Sequence, residues 1–192
     1  MYTWGDIQEV ILAKLDLGED EAEIQNLISR FPYFANEAIT QICSAVKPKH
    51  TYFEVNVTDE YTATMPNDFV SFGDDVNRIQ YKEYNHVITR EAHDDDFEYL
   101  GYNRLLFKRP GKFYISYNAR WIDSFVGVES DFVLDIPRDI LDCIPSYVAS
   151  QCMKIDDEYK SSVYRNEYEM FLARIDDTDY KNTKTFTIEG DW

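Results

Sequence analysis

The segment 134–175 constrains the fold most, because it combines helical periodicity with prolines that a continuous helix would exclude. Pro137 and Pro145 each suit the first turn of a helix, where the missing N–H has no intrahelical partner to lose. Apolar residues recur at helical spacing in two sets: Tyr147, Val148, Cys152 and Ile155, then Tyr159, Val163, Tyr164, Tyr168, Phe171, Leu172 and Ile175. The segment therefore predicts two or three short helices with aromatic, amphipathic faces, and no catalytic motif accompanies them.

The first quarter of the chain has the same helical character. Thr3 suits an N-cap, and Asp6 occupies the capping-box position three residues later. Pro32 marks either a kink or the start of a further helix. The apolar stripes consist of Trp4, Ile7, Val10, Ile11 and Leu15; Ile24, Leu27, Ile28 and Phe31; and Ala35, Ala38, Ile39, Ile42 and Val46. We predict a helical hairpin whose first helix ends at Gly18 and whose last ends before Pro48.

Between His50 and Trp121 the apolar residues alternate with polar ones, as in β-strands. The turn residues 109–112 lie between two such runs, 104–108 and 113–118, and predict a tight hairpin that pairs these two strands. Residues 76–84 and 86–90 predict two more strands, and Pro66 opens a single helical turn within 65–72. The sequence thus predicts an α+β fold with a central antiparallel β region between N-terminal and C-terminal helices that pack together.

We predict one domain, since no linker, repeat or low-complexity block divides the chain. Its parts are a helical region 1–48, a mainly β region 49–133, a helical region 134–178 and an extended tail 179–192. In the tail, Phe186, Ile188 and Trp192 are apolar residues that an exposed segment would avoid. We expect them to dock either on this chain's own core or on a neighbouring subunit or partner. Trp121 is a fourth candidate contact residue, but we expect it to be a core or rim residue first and a contact residue second.

The chain is strongly acidic, with 36 acidic and 19 basic residues and a formal net charge of -17. Such a chain lacks the basic surplus that replaces cations on DNA phosphates, so binding of DNA by counterion release is excluded. Three interpretations stay open: a solvated acidic surface, a surface that lets DNA slide past, or a mimic of DNA. The three scattered cysteines predict buried thiols in a reducing compartment. Neither a signal peptide nor a membrane span is expected.

One dense ionisable cluster combines His93 with Asp94, Asp95 and Asp96. Carboxylate oxygens suit Mg²⁺ or Ca²⁺, but consecutive aspartates in a strand point to alternate faces, and the glycine of an EF-hand loop is missing. We expect a solvated loop, with no catalytic residues, no metal and no cofactor. A divalent-dependent enzyme built around these aspartates is the alternative.

The order of several short motifs resembles head-to-tail adaptor (connector) proteins of tailed bacteriophages. The C-terminal part carries I-P-x-Y-V-A-S-x-C, then D-D-E-Y and Y-R-N-E-Y-E-x-x-L-A-R-I; Asn36, Glu37 and Ala38 lie in an early helix. The runs 65–69 (MPNDF) and 111–117 (GKFYISY) are similar to the L-P-x-D-F and G-x-Y-x-I-x-Y pieces of the adaptors' β region. The resemblance covers most of the chain.

The resemblance implies a structural, non-enzymatic protein of the virion neck, assembled in the host cytoplasm. Such proteins form rings, commonly of twelve subunits, that bind the portal and continue the DNA channel toward the tail. The expected partners are therefore the portal protein, other neck or tail proteins and further copies of the chain, while DNA passes without specific binding. The alternatives are a tail-completion or terminator protein, and an acidic DNA mimic that inhibits a DNA-binding host enzyme.

Overall fold

The computed structural model describes residues 2–16, 21–57, 62–72, 79–82, 90–91, 97–101, 103–108 and 111–175. Phe186, Ile188 and Trp192, the whole predicted tail and the cluster His93–Asp96 lie outside these residues. The described helices are α1 (Trp4–Leu15), α2 (Glu21–Ile28), α3 (Phe31–Ala45), α4 (Arg138–Leu141), α5 (Ile144–Met153) and α6 (Glu158–Leu172). The described strands are β1 (Lys49–Val57), β2 (Thr62–Thr64), β3 (Phe69–Ser71), β4 (Ile79–Lys82), β5 (Arg90–Glu91), β6 (Phe97–Gly101), β7 (Arg104–Phe107) and β8 (Gly111–Ala119).

Helix α1 begins with the predicted capping box. The Thr3 hydroxyl accepts from the Asp6 N–H at 3.2 Å, and the Asp6 carboxylate accepts from the Thr3 N–H at 2.7 Å. These hydrogen bonds hold the pKa of Asp6 below its usual value. The helix ends at Asp16, whose φ of 46° closes it in the left-handed conformation. The predicted stripe is buried except at Val10, which is 46% exposed, so the buried arc is narrower than the sequence pattern indicated.

Two of the prolines lie at helix starts, so Pro32 starts a helix and does not kink one. Pro32 and Pro145 occupy the first or second positions of α3 and α5, where no N–H is needed, so Pro32 starts a separate helix. Pro137 is the N-cap of α4. Each proline therefore sets a helix boundary without costing a helical hydrogen bond.

Helix α5 forms the centre of the helical part. It packs against α1, α3 and α6, and all of its residues except Gln151 are buried. Because α1 and α3 precede the β region while α5 and α6 follow it, the N-terminal and C-terminal helices share one core, as predicted. Within the described residues, no helix is both long enough and apolar enough to cross a membrane.

The apolar face predicted for α6 is only partly buried. Tyr168 is fully buried, and Ile175 just beyond the helix is 8% exposed. However, Ile155, Tyr159 and Val163 are 86%, 79% and 45% exposed. The apolar residues of this segment are spread over an arc wider than α6 can bury against α5, so part of the predicted face remains at the surface.

The strands form two antiparallel sheets, one in the order β1–β8–β4–β5 with β3 also paired to β8, the other in the order β2–β7–β6. The predicted hairpin between the strands 104–108 and 113–118 is wrong, because β7 pairs with β2 and β6 while β8 pairs with β1, β3 and β4. The rings of Phe107 and Phe113 pack 4.4 Å apart, and both side chains are buried. The two strands therefore meet through buried side chains of a second core and not through their backbones.

Candidate interaction surfaces

The motif Asn36–Ala38 holds the helical core to the loop that follows β8. The Asn36 side chain accepts from the Phe125 N–H at 2.8 Å and donates to the Ser124 hydroxyl at 3.1 Å. Glu37 accepts a hydrogen bond of 3.2 Å from the Tyr147 hydroxyl on α5, and Ala38 is fully buried. All three residues of the motif therefore act inside the subunit.

The two β-region motifs contact each other. The Tyr117 hydroxyl donates to Asp68 at 3.0 Å, and the pKa of Tyr117 is raised, first by burial and then by this hydrogen bond to a carboxylate. The Arg120 N–H donates to the Asp68 carbonyl at 2.8 Å, and its guanidinium donates to the Asn67 carbonyl at 2.9 Å. Two motifs that are far apart in sequence thus form one structural unit at the end of β8.

Trp121 lies where the β region joins the helices. Its indole N–H donates to the Lys47 carbonyl at 3.0 Å, and its half-buried ring packs against the helical core. Lys47 also pairs with Asp139 at 2.9 Å, which links the end of α3 to α4. Trp121 therefore stabilises the junction inside the subunit. That its exposed edge also contacts a partner stays a prediction.

Two groups of exposed apolar side chains lie on different elements. The first, which we call the 126–133 surface, consists of Val126, Phe132 and Val133, each 46–50% exposed. Hydrogen bonds from the N–H groups of Trp4 and Gly5 to the carbonyls of Phe132 and Ser130, at 3.0 and 2.7 Å, fix it beside the start of α1. The second, the α6 surface, consists of Ile155, Tyr159, Val163 and Met170. The 126–133 surface was missed in the sequence because its irregular loop has no periodicity.

A groove of about 820 Å³ runs between α1, the α4–α5 segment and the end of α6. Its lining is mainly apolar: Tyr2, Ile7, Val10, Ala13, Leu141, Pro145 and Phe171, with Asp6, Glu9, Lys14 and Asp142 among them. Lys14 pairs with Glu167 at 2.7 Å and lies over the Tyr164 ring, and the Tyr164 hydroxyl donates to the Lys14 carbonyl. Lys14, the basic residue of the described lining, is therefore engaged. Two of the carboxylates are engaged as well, since Asp6 accepts from the Thr3 N–H and Asp142 pairs with Arg138 at 3.8 Å. We call this feature the α1 groove.

The buried ionisable groups of the helical core hold helices together. Tyr147 accepts from Gln41 at 2.9 Å, and its ring packs against that of Tyr168 at 5.0 Å. Burial raises the pKa of Tyr168 to about 12. Burial also raises the pKa of Cys143 to about 12 and that of Cys152 to about 11, which keeps these thiols protonated and unreactive.

Among the residues that the structure describes, no three or more His, Cys, Asp or Glu side chains come together as they would around a metal ion. The aspartates that the sequence singled out for such a site are outside that part of the chain. Among the described residues, the α1 groove, the 126–133 surface and the α6 surface are three features that could engage a partner.

No family model matches the chain, and no curated protein matches it in a sequence comparison. Among solved structures, the chain is similar to one from the neck of an empty GTA particle computed with C6 symmetry. The two share 13% identity over 78% of each chain, with a TM-score of 0.31. A likeness at this TM-score says nothing about the function of the chain.

Proposed function

We propose that this chain is a structural protein of a phage neck, which forms a ring that joins the portal to the tail and continues the DNA channel. The observation that carries the proposal is the contact between the motifs that resemble the adaptors. Asp68 of the M-P-N-D-F run binds Tyr117 of the G-K-F-Y-I-S-Y run at 3.0 Å, and Asn36 binds Ser124 just beyond it. The resembling residues thus form one framework across the helical and β parts.

The two exposed apolar surfaces support ring formation. The 126–133 surface and the α6 surface consist of different residues on different elements. A two-fold dimer needs one self-complementary patch, whereas a ring needs two different patches that meet head to tail. The chain has a net charge of -17, yet Phe132 and Tyr159 are 50% and 79% exposed. These apolar side chains give each subunit apolar surface to bury against its neighbours.

The acidic composition suits a conduit for DNA. A chain with 36 acidic and 19 basic residues repels phosphates, so DNA would pass a ring of such chains without being held. The same composition would suit a DNA mimic, and for that reason the test must separate the two functions.

The test is the mass of the purified protein, measured by light scattering alone and after mixing with the portal protein of the same particle. We expect a complex of fixed multisubunit ratio with the portal, even if the free chain is a monomer. The absence of any complex at low and at moderate salt would refute the proposal. A mass of one or two chains together with displacement of DNA from a nuclease would instead establish the DNA mimic.

Variants of the two surfaces show whether they make the ring. Phe132→Asp and Tyr159→Asp each place a charge in one apolar surface, and either is expected to stop ring formation at the portal. Tyr33→Asp is the matched control, since Tyr33 is 59% exposed on α3 and belongs to neither surface. If rings still form with both surface variants, these surfaces do not make the contact between ring subunits.

A further inference from the structure

The α1 groove has an apolar floor and an apolar side chain that no described residue covers. Leu141 and Ile7 are 2% and 4% exposed at its floor, while Val10 in the same lining is 46% exposed. Val10 belongs to the apolar stripe of α1, whose other members are buried. A volume of about 820 Å³ is large enough to take several side chains of a bound segment.

The backbone leaves the described part of the chain beside this groove. Phe171, in the last turn of α6, lines the groove, and Ile175 is only 8% exposed in the helical core. The segment 176–192 therefore begins five residues after Phe171 of the groove lining. Fully extended, it would reach up to about 55 Å, several times the length of the groove lining on α1.

The apolar residues of the segment 176–192 complement the groove. Phe186, Ile188 and Trp192 are apolar side chains for an apolar floor. The segment carries five acidic residues and two lysines, and the groove lining is acidic as well, with Asp6, Glu9 and Asp142 beside one lysine. Charge therefore opposes binding, and the burial of apolar surface has to hold the segment in the groove.

We infer that the segment 176–192 binds in the α1 groove of its own subunit, with its apolar side chains on the floor. Attachment at Ile175 gives the segment an effective concentration of about 1 mM, far above that of a second copy in dilute solution. Any partner that uses the α1 groove must displace this segment. The inference stands independently of the proposed function.

The test uses disulfide trapping in the full-length chain. One cysteine is introduced in the groove lining by Ala13→Cys, at an exposed residue, and the other in the segment by Thr187→Cys. The natural cysteines among the described residues are buried and stay in place. The control pair combines Thr187→Cys with Tyr52→Cys, because Tyr52 is 68% exposed on β1, whose outer edge pairs with no other described strand. We expect the groove pair to form an intrachain disulfide at least about fivefold faster than the control pair.

A second pair of variants shows that the groove itself binds the segment. Val10→Asp, added to the groove pair, is expected to reduce the rate of disulfide formation to that of the control pair. Tyr33→Asp, at a 59% exposed position on α3 outside the groove, is expected to leave the rate unchanged. Circular dichroism checks that both variants are folded.

Three results would overturn the inference. Equal rates for the groove and control pairs would mean that the segment does not bind the groove. A faster reaction at Tyr52→Cys would place the segment at the β1 edge. A disulfide between two chains, with a rate that rises with protein concentration, would place it in the groove of a second copy.

Discussion

The change Asn36→Ala tests the contact that joins the helical core to the loop after β8. The Asn36 side chain makes two hydrogen bonds there, accepting from the Phe125 N–H at 2.8 Å and donating to the Ser124 hydroxyl at 3.1 Å. The Phe125 ring is fully buried and packs against Trp4 at 4.7 Å. Alanine would leave the Phe125 amide without its acceptor beside a buried aromatic pair.

The expected loss follows from these two bonds. An amide left without a partner costs about 1–3 kcal/mol, and loss of the second hydrogen bond adds about 1 kcal/mol. The better helix propensity of alanine returns about 0.6 kcal/mol. We therefore expect Asn36→Ala to lower the free energy of unfolding by about 2 kcal/mol, which lowers Tm by about 4–8 °C in a domain of this size. Asn36→Asp keeps an acceptor for Phe125 and should cost less.

The assay is urea unfolding followed by circular dichroism, in which the midpoint falls and the slope is unchanged. The control is Asn166→Ala on the exposed side of α6, where alanine changes only helix propensity and the free energy of unfolding should shift by less than about 0.7 kcal/mol. If Asn36→Ala matched this control, the hydrogen bonds of Asn36 would not hold the loop, and the structural reading of the Asn36–Ala38 motif would be wrong.

Three further predictions concern the two cores. Phe113→Ala, at a 1% exposed position against Phe107, should lower the free energy of unfolding by about 3–5 kcal/mol; a loss below that of Tyr52→Ala, at a 68% exposed site, would contradict the packing of the two sheets. The pKa of Tyr168 is about 12 in the fold and about 10 when unfolded, so the unfolded state loses the proton first and stability should fall as the pH rises from about 10 towards 12. The urea midpoint should therefore be lower at pH 11 than at pH 9, and this difference should be smaller in Tyr168→Phe. An equal midpoint at the two pH values would refute the prediction. The three buried thiols should react with a disulfide reagent only as the protein unfolds, and a thiol that reacts at once in the native state would contradict their burial.

Local signals in the sequence predicted the helices well. The Thr3 capping box and the prolines at the starts of α3 and α5 are backbone rules that act within one turn, so a single sequence reveals them. Periodicity identified α6 but not the width of its buried arc. Tyr159 and Val163 are exposed because no described element covers their side of α6, and the period of a helix does not show which of its sides a neighbour covers.

Strand pairing and the candidate sites depend on long-range contacts, which explains why the sequence did not predict them. The turn residues between β7 and β8 are typical of a hairpin, yet Leu105 and Phe107 face Phe113 and Ile115 across a core, which assigns the strands to different sheets. The α1 groove likewise combines residues of α1 with Leu141 and Phe171 from the other end of the chain. Nothing local to these residues signals that they meet.

The most direct test of the proposed neck function is electron microscopy of the protein mixed with the portal ring. We expect an additional ring of density, coaxial with the portal, with an open axis that continues the channel. Portal rings without added density, or with density attached off the axis, would contradict it.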